Sequence, residues 1–359
     1  MTSARTLRPG ELTAALAARQ GLISRRRIPP ADAIRVLTPL QGQHAPAPFL
    51  ALAARLDGFS RADLDAAIAA RTVGKSTLMR MTLHLVAADD YPAYHQLARQ
   101  ARMRTWRKTY AHLDEERVVA ELSAWFAEPR GNAEIRARVG AYPGVEDTPY
   151  APILFARTLL PLVQLPPAGR WDDRGRGAAF MLDPRPLPAP EDAAELVLRR
   201  YLGAFGPASR RDVAAWAGVA QRDFAAAFER VQTVSYRDSN GAELLDLPGA
   251  PLPPASTPLP PRFLAHWDQP LLAYADRDRI IPPELLSHRL TLSGDPTVTV
   301  DGRVAASWSM SCADGVATVE ITPHTDIPRS VVPEIRAEAE RVARFAHPTA
   351  TPRVNGLSA

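Results

Sequence analysis

The stretch from residue 205 to residue 247 constrains the fold more than any other part of the sequence. Ser209 and Asp212 have the spacing of a capping box at the start of a helix, and Gly218 is a typical helix end. A second helix follows, and then two strand-like runs that flank the turn residues 238–241. Helix, tight turn, helix and β-hairpin in this order predict a winged helix-turn-helix.

The same order of elements recurs less regularly near the N-terminus. Apolar residues at helical spacing predict one helix over 11–20 and another from Pro30. Residues 77–86 then alternate between apolar and polar side chains. This alternation predicts a half-buried strand with Arg80 and His84 on its polar face.

The C-terminal part of the chain is rich in proline and in short strand-like runs. Prolines cluster over 248–261, which predicts a stiff linker. Strand-like runs follow, among them 289–292 and two runs joined by the turn Asp301-Gly302. A helix over 332–345 is expected to close these runs into a small barrel.

These patterns predict an α+β, mostly helical protein with three tandem winged-helix domains followed by a small C-terminal β-barrel. The predicted domains are a basic first winged helix over 1–95, a second over 96–190, a third over 191–250, and the barrel with its closing helix over 251–350.

Charge is unevenly distributed along the chain. Residues 1–110 contain 17 Lys and Arg against 7 Asp and Glu, a net charge of +10, whereas the whole chain carries only +4. This asymmetry indicates that the N-terminal third faces a polyanion, although a merely solvated basic face explains it equally well. Lys75 and Lys108 are the only lysines, so cationic contacts to phosphate are expected to come mainly from arginine.

Composition and motif spacing exclude several classes of protein. A single cysteine, Cys312, rules out an internal disulfide framework and a cysteine-rich zinc module. His84, His95 and His112 lack the spacing of helical zinc ligands, so neither a metal nor another cofactor is expected. No apolar window is long enough to cross a membrane, and the N-terminus lacks the pattern of a secretory signal, so a cytoplasmic protein is expected.

Two glutamines, Gln41 and Gln43, stand out because no nucleophile, metal site or phosphate-binding loop is recognisable elsewhere in the sequence. Residues i and i+2 lie on one face of an extended segment, which aims both amides the same way. The basic run just upstream, Arg25, Arg26 and Arg27, is interpreted as a phosphate clamp.

The residues around this pair resemble a known family. Residues 40–48, with Leu-Gln-X-Gln followed by an Ala-Pro segment, are similar to the winged-helix DNA glycosylases that unhook alkylated and crosslinked bases. The similarity continues in the stretches 82–92, 205–216, 267–283 and 300–304. Gln-X-Gln is the form of the AlkZ-like branch, whereas the YcaQ-like branch ends the motif in aspartate. The middle position, usually aliphatic in the family, is Gly42 here.

The resemblance implies three tandem winged helices and a β-barrel that form a curved surface for DNA, with Gln41 and Gln43 as the catalytic pair. The candidate DNA-binding residues are Arg25, Arg26, Arg27, Lys75, Arg80, His84, Asp268 and Arg277. His84 has a structural role as an alternative. Asp268 and Arg277 either line the DNA channel or pair with each other.

The predicted activity is that of a monofunctional DNA glycosylase acting as a monomer on duplex DNA. Purines alkylated at N7 or N3 are cationic and leave readily, so neutral amides that hold a water near C1′ suffice. Bulky adducts and interstrand crosslinks are expected substrates, in DNA repair or in self-resistance to an alkylating natural product. With only two lysines, no lyase step is expected. The alternatives are a non-catalytic winged-helix DNA-binding or regulatory protein and a winged-helix scaffold for protein partners.

Overall fold

The computed structural model of the protein describes residues 5–146, 148–175, 177–286 and 294–357. Its helices are α1 (Pro9–Arg19), α2 (Pro30–Leu37), α3 (Ala47–Arg55), α4 (Arg61–Ala69), α5 (Tyr91–Thr109), α6 (Glu115–Trp125), α7 (Asn132–Val139), α8 (Ala151–Leu159), α9 (Pro190–Phe205), α10 (Arg210–Ala217), α11 (Ala225–Arg230), α12 (Gln269–Leu272) and α13 (Val332–Ala346). Its strands are β1 (Leu40–Gln41), β2 (Val73–Thr77), β3 (Leu83–Ala87), β4 (Arg130–Gly131), β5 (Leu162–Gln164), β6 (Ala179–Leu182), β7 (Val234–Arg237), β8 (Glu243–Asp246), β9 (Arg262–Leu264), β10 (Thr297–Val300), β11 (Arg303–Ala313), β12 (Val316–Pro323) and β13 (Thr351–Asn355).

The helix-turn-helix and hairpin predicted for 205–247 are present. The Ser209 N–H donates to the Asp212 carboxylate at 2.9 Å, and the Asp212 N–H donates to Ser209 Oγ at 3.2 Å, so the capping box starts α10 as its sequence indicates. Gly218 ends α10 in a left-handed conformation with φ of 70°. Strands β7 and β8 pair in antiparallel fashion around the predicted turn.

Residues of the first two predicted modules share one sheet. Its strand order is β1-β3-β2-β5-β6-β4, and Lys75 on β2 pairs with Gln164 on β5. The sheet therefore runs across the predicted boundary near residue 95 and joins the two modules through backbone hydrogen bonds, which constrains their relative position.

The single strand predicted over 77–86 is wrong. The chain instead reverses direction between β2 and β3 through a 3₁₀ turn at Met79–Met81. Arg80 and Met81 both have left-handed backbones, with φ of 50° and 61°. Leu78 and Met79 are both buried although they are adjacent, which an alternating strand does not allow.

The C-terminal strands form an open sheet rather than the predicted barrel. The order is β13-β12-β11-β10-β9, and within the described residues the edge strands β9 and β13 do not pair with each other. Helix α13 covers the apolar side of the sheet with Ile335, Ala339 and Val342. Because a helix already shields that face, the sheet buries its apolar surface without closing on itself. The strand predicted over 289–292 lies outside the described residues.

Two large hydrophobic cores connect distant parts of the chain. One brings Leu16 of α1 together with Tyr201 and Phe205 of α9, Trp216 of α10 and Ile281. The other is formed by residues of α2, α3, β3, the C-terminal sheet and α13: Ile34, Phe49, Leu85, Val319 and Val342. The N-terminal module thus packs against the C-terminal sheet.

The proline-rich segment 248–261, which was predicted to be a stiff linker, contacts the first module. The Pro251 carbonyl accepts hydrogen bonds from the Arg19 guanidinium at 2.9 and 3.1 Å. The same guanidinium binds both carboxylate oxygens of Asp246, each at 2.7 Å, in the protein interior. This buried pair ties α1 to the hairpin of the third predicted module.

None of the helices in the described ranges combines the length and the apolar character that a bilayer span requires. Among the same residues, no three or more His, Cys, Asp or Glu side chains are grouped so as to hold a metal ion.

Candidate active site

The two glutamines lie at the edge of the six-stranded sheet. Strand β1 pairs with β3 so that Leu40 faces Leu85 and Gln41 faces His84. The pairing continues one residue beyond β1, because the Gly42 N–H donates to the Leu83 carbonyl at 2.8 Å. The backbone of the motif is therefore held by the sheet on both sides of Gln41.

The two glutamine side chains contact each other directly. Gln41 Oε1 accepts a hydrogen bond from the Gln43 backbone N–H at 2.8 Å, and Gln41 Nε2 donates to Gln43 Oε1 at 2.9 Å. A backbone N–H can only donate, so the oxygen of Gln41 must face it and the nitrogen must face the Gln43 side chain. Gln43 therefore turns its own oxygen inward and keeps one acceptor position on that oxygen open.

Burial divides the roles of the pair. Gln41 is only 6% exposed, whereas Gln43 is exposed. Both amide atoms of Gln41 are occupied by contacts within the motif. Gln43 is thus the member of the pair that is open to solvent, and Gln41 holds the Gln43 amide from the buried side.

Gly42 fits closely against β3. A Cβ atom at this position would lie 3.4 Å from the Leu85 nitrogen and 3.5 Å from the His84 carbonyl carbon, and the backbone is not left-handed. These are ordinary van der Waals distances, so the motif geometry here does not depend on glycine.

His84 is not on a polar face, in contrast to the prediction. It is fully buried behind Gln41, and its Nδ1 lies 2.9 Å from the Thr82 carbonyl. Burial first, and then the charge of Arg80, lowers the pKa of His84 to about 3, so the ring is neutral. A ring that is buried in this way does not reach a DNA phosphate in the folded protein, which favours the structural alternative for His84.

A cleft opens at His44, the residue that follows Gln43 in the sequence. It has a volume of about 550 Å³, and its lining includes His44, His266, Trp171 and Trp308. The rings of His44 and His266 are 4.4 Å apart between centroids. Burial, followed by the charge of His266, lowers the pKa of His44, and burial lowers that of His266, so both rings favour the neutral form.

The histidine pair was missed at the level of sequence. His44 directly follows the glutamine motif, which is a signal that sequence inspection can use. His266 lies much later in the sequence, just after β9. Only the packing of the C-terminal sheet against the first module brings the two rings together.

A second, more open cleft of about 710 Å³ adjoins the first and shares Trp171 with it. The Arg61 guanidinium lies 4.9 Å from the centroid of the Trp171 ring. Arg170 and Arg344 also line this cleft. Arginines interleaved with an aromatic ring are the combination found where proteins hold nucleic-acid strands.

The three consecutive arginines near residue 26 separate in space. Arg27 is exposed and pairs with Asp57 at 2.7 Å. Arg25 pairs with Glu338 of α13. Arg26 donates to the carbonyls of Ala18 and Arg19 at 2.9 and 3.0 Å, which satisfies the C-terminal end of α1.

Three other predicted DNA-binding residues have structural contacts inside the protein. Lys75 pairs with Asp173 at 2.6 Å, and both side chains are nearly buried. Arg80 donates to the Trp216 carbonyl of α10. Asp268 pairs with Arg55 of α3 at 2.6 and 3.1 Å in the interior, whereas Arg277 begins a 3₁₀ turn at Arg277–Arg279.

Comparisons with known proteins agree with the motif. A family model described as "DNA glycosylase AlkZ-like" matches residues 34–345. An interstrand DNA cross-link repair glycosylase of Streptomyces sahachiroi is 28% identical over 168 residues, an alignment that spans 44% of this chain and 44% of that protein. The solved structure of the Streptomyces sahachiroi DNA glycosylase AlkZ superposes with a TM-score of 0.80 at 21% identity, over 98% of this chain and all of that one.

Proposed function

The chain belongs to the AlkZ-like DNA glycosylase family, and on that premise we propose that it hydrolyses the N-glycosidic bond of cationic alkylated purines in duplex DNA. One observation carries the proposal. Gln41 and Gln43 form a hydrogen-bonded amide pair in which the exposed Gln43 keeps an acceptor position open. The proposed substrates are N7 and N3 adducts, including bulky adducts and interstrand crosslinks.

The reaction needs little from the protein at the leaving group. A purine alkylated at N7 or N3 carries a positive charge and departs as a neutral base when the C1′–N bond breaks. The bonding electrons leave with the base, and positive charge develops on the sugar. A water then forms the new bond to C1′ and releases one proton to solvent.

The amide pair supplies orientation and a dipole. Gln43 Oε1 accepts a hydrogen bond from the attacking water and turns its negative end towards the developing charge on the sugar. Gln41 holds that oxygen in place through its Nε2. A neutral amide is a poor general base, so the reaction is confined to bases that are already activated by alkylation.

The cleft at His44 suits a cationic base. His44 and His266 favour the neutral form, so an alkylated purine meets uncharged rings rather than like charges. Trp171, which already holds the Arg61 guanidinium 4.9 Å from its ring centroid, and Trp308 add aromatic surface to the cleft. We therefore place the damaged base, or the planar part of a bulky adduct, in this cleft.

A lyase step is not part of the proposal. Lyase chemistry needs a neutral amine near C1′, and Lys75 is held in a buried pair with Asp173. The remaining lysine, Lys108, lies in the last turn of α5 rather than in the cleft. The proposed product is an intact strand with an abasic site.

The decisive experiment measures release of 7-methylguanine from methylated duplex DNA, followed by electrophoresis of the strand with and without alkaline heating. The proposal expects free base and a strand that breaks only after the alkaline step. DNA binding without base release would favour a non-catalytic DNA-binding protein instead. We propose that the biological role is repair of alkylated DNA or protection against a DNA-alkylating natural product.

A further inference from the structure

The turn between β2 and β3 presents an unusual apolar side chain next to the glutamine pair. Met81 is 45% exposed, and it is one of only five large apolar side chains that are exposed in the described part of the chain. Arg80 and Met81 are consecutive residues with left-handed backbones, at φ of 50° and 61°. Positive φ at both central residues is the geometry of a type I′ hairpin turn, which glycine and asparagine adopt most readily, and here it puts an arginine and a methionine at the tip.

The turn is rigid because its flanks are anchored. The Leu78 N–H donates to the Thr82 carbonyl at 3.0 Å, and the Thr82 N–H donates to the Met79 carbonyl at 3.1 Å. Leu78 and Met79 are buried, and Arg102 Nη2 donates to the Leu78 carbonyl at 2.5 Å. Met81 is therefore held outward by a fixed backbone.

The third predicted module supports the same turn. Arg80 donates to the Trp216 carbonyl at the end of α10. Gly218, two residues after Trp216, packs closely on the turn. A Cβ atom at Gly218 would lie 2.9 Å from the Arg80 nitrogen. Two parts of the protein thus position a short turn whose Met81 side chain is 45% exposed.

The register of the sheet places this turn beside the catalytic candidate. Gly42 bonds to Leu83 at the end of the β1–β3 ladder, with Gln43 next after Gly42 in a bend and Thr82 next before Leu83 on the other side. Met81 comes immediately before Thr82. On its other side, Gln43 is adjacent in sequence to His44, which lines the aromatic cleft.

The surroundings of the turn are basic. Burial, and then the nearby charge of Arg277, lowers the pKa of Arg80 to about 10, which places two guanidinium groups close together. Because the Arg80 guanidinium is largely buried against the Trp216 carbonyl, the part of the turn that can meet a DNA duplex directly is its apolar tip, which suits the stacked bases.

We propose that Met81 is a wedge residue that enters the base stack beside the damaged nucleotide and holds the step open while the glycosidic bond lies at Gln43. Met81 is unbranched and flexible, so it fits between bases of different shape. Removing a base from the stack costs free energy, and an apolar side chain that fills the gap offsets part of that cost. The inference rests on the proposed function, since it assumes that the same site receives damaged DNA.

The test compares Met81→Ala and Met81→Leu with Leu154→Ala, a matched control in which another exposed apolar residue, 43% accessible, is truncated. Single-turnover release of 7-methylguanine is measured from duplex and from single-stranded DNA. Met81→Ala is expected to slow release from duplex by ~10-fold or more and to leave release from single strands nearly unchanged, because a single strand has little stacking to disrupt. Met81→Leu keeps an apolar side chain at the tip and is expected to recover most of the duplex rate that Met81→Ala loses, and Leu154→Ala is expected to behave as the wild type.

A second readout is independent of catalysis. A duplex carries a non-hydrolysable 2′-fluorinated 7-methylguanine analogue with 2-aminopurine as its neighbour, and the fluorescence rise on protein binding reports unstacking. The wild type should raise the fluorescence and Met81→Ala should not. Retention of both duplex release and the fluorescence rise in Met81→Ala overturns the wedge, as does equal loss on duplex and single strand. Absence of base release by the wild type overturns the proposed function instead, and the fluorescence assay still decides on Met81.

Discussion

Gln41 Nε2 lies 2.9 Å from Gln43 Oε1, and this single contact gives the two glutamines of the motif different tasks. The buried Gln41 contacts Gln43 through both of its amide atoms, which fixes the orientation of the Gln41 amide. On the proposed function, the exposed Gln43 contacts the attacking water and Gln41 acts through Gln43.

The two glutamine variants are expected to differ in severity. Gln43→Ala removes the group that contacts water and should lower single-turnover excision by ~100-fold or more. Gln41→Ala leaves Gln43 in place without its support and should lower excision by about 10-fold. Duplex affinity, measured by fluorescence anisotropy, should stay close to that of the wild type in both. Equal rates for the two variants would contradict the division of roles.

Substitution by alanine is expected to be tolerated at Gly42 and to destabilise the protein at Gly218. Gly42→Ala should keep wild-type excision, because the added Cβ meets β3 at 3.4 Å or more and the backbone is not left-handed. Gly218→Ala adds a Cβ 2.9 Å from the Arg80 nitrogen at φ of 70° and should lower the free energy of unfolding by about 1 kcal/mol or more. Thermal unfolding and base release separate the two effects, and loss of excision in Gly42→Ala would show that the motif needs glycine.

The pair between Arg55 and Asp268 is expected to be structural. Their side chains are 2% and 0% exposed, so Asp268→Ala leaves a buried charge unpaired and should lower the free energy of unfolding by about 3–5 kcal/mol. The double variant Arg55→Met/Asp268→Leu removes both charges and should recover most of that loss. Urea unfolding measures the free energy of unfolding of the single and the double variant. A stable Asp268→Ala protein with weakened DNA binding would assign Asp268 to the DNA surface instead.

Arg27 is expected to contribute to DNA binding without affecting stability. Its side chain is 83% exposed and its pair with Asp57 is on the surface, so Arg27→Ala should change the free energy of unfolding by less than about 1 kcal/mol. If Arg27 contacts a phosphate, the variant should weaken duplex binding and reduce the slope of log affinity against log salt by about 1. An unchanged slope would mean that Arg27 makes no such contact.

Two buried histidines predict a loss of stability in acid. Burial lowers the pKa of His84 and of His95 to about 3, with the charges of Arg80 and Arg102 as the next causes. In the unfolded chain both titrate near pH ~6.5, so between these values the unfolded state binds more protons than the folded state. Stability should therefore fall as pH decreases through this window, by about 1.4 kcal/mol per pH unit for each group.

The variant His95→Asn tests this assignment, because it should reduce the slope of unfolding free energy against pH by roughly one proton over the same window. The quantity to compare is the slope of unfolding free energy against pH, because the substitution itself also changes the absolute stability. Identical slopes for the variant and the wild type would show that His95 is protonated in the folded protein.

The elements predicted correctly from sequence are those whose signals are local. The capping box of Ser209 and Asp212, the helix end at Gly218 and the hairpin turn at 238–241 each depend on residues within a few positions of one another. The strand predicted over 77–86 failed because the burial of Leu78 and Met79 and the contact of Arg80 with Trp216 override its alternating pattern. The prediction of a closed barrel was wrong because helix α13 covers the apolar face of the sheet, which therefore stays open.

By itself, the sequence determined the family, the glutamine motif and the local helix and hairpin signals. Each of these is a short pattern of residues that are close together in the chain, and the family shows several such patterns in succession. Only the tertiary structure decided that Gln41 orients Gln43, that His44 meets His266, and that Asp268 pairs with Arg55. The physical reason is that burial and packing bring together side chains that lie far apart in the chain. Solvent exclusion then sets which of them are charged, which are neutral and which remain open to a substrate.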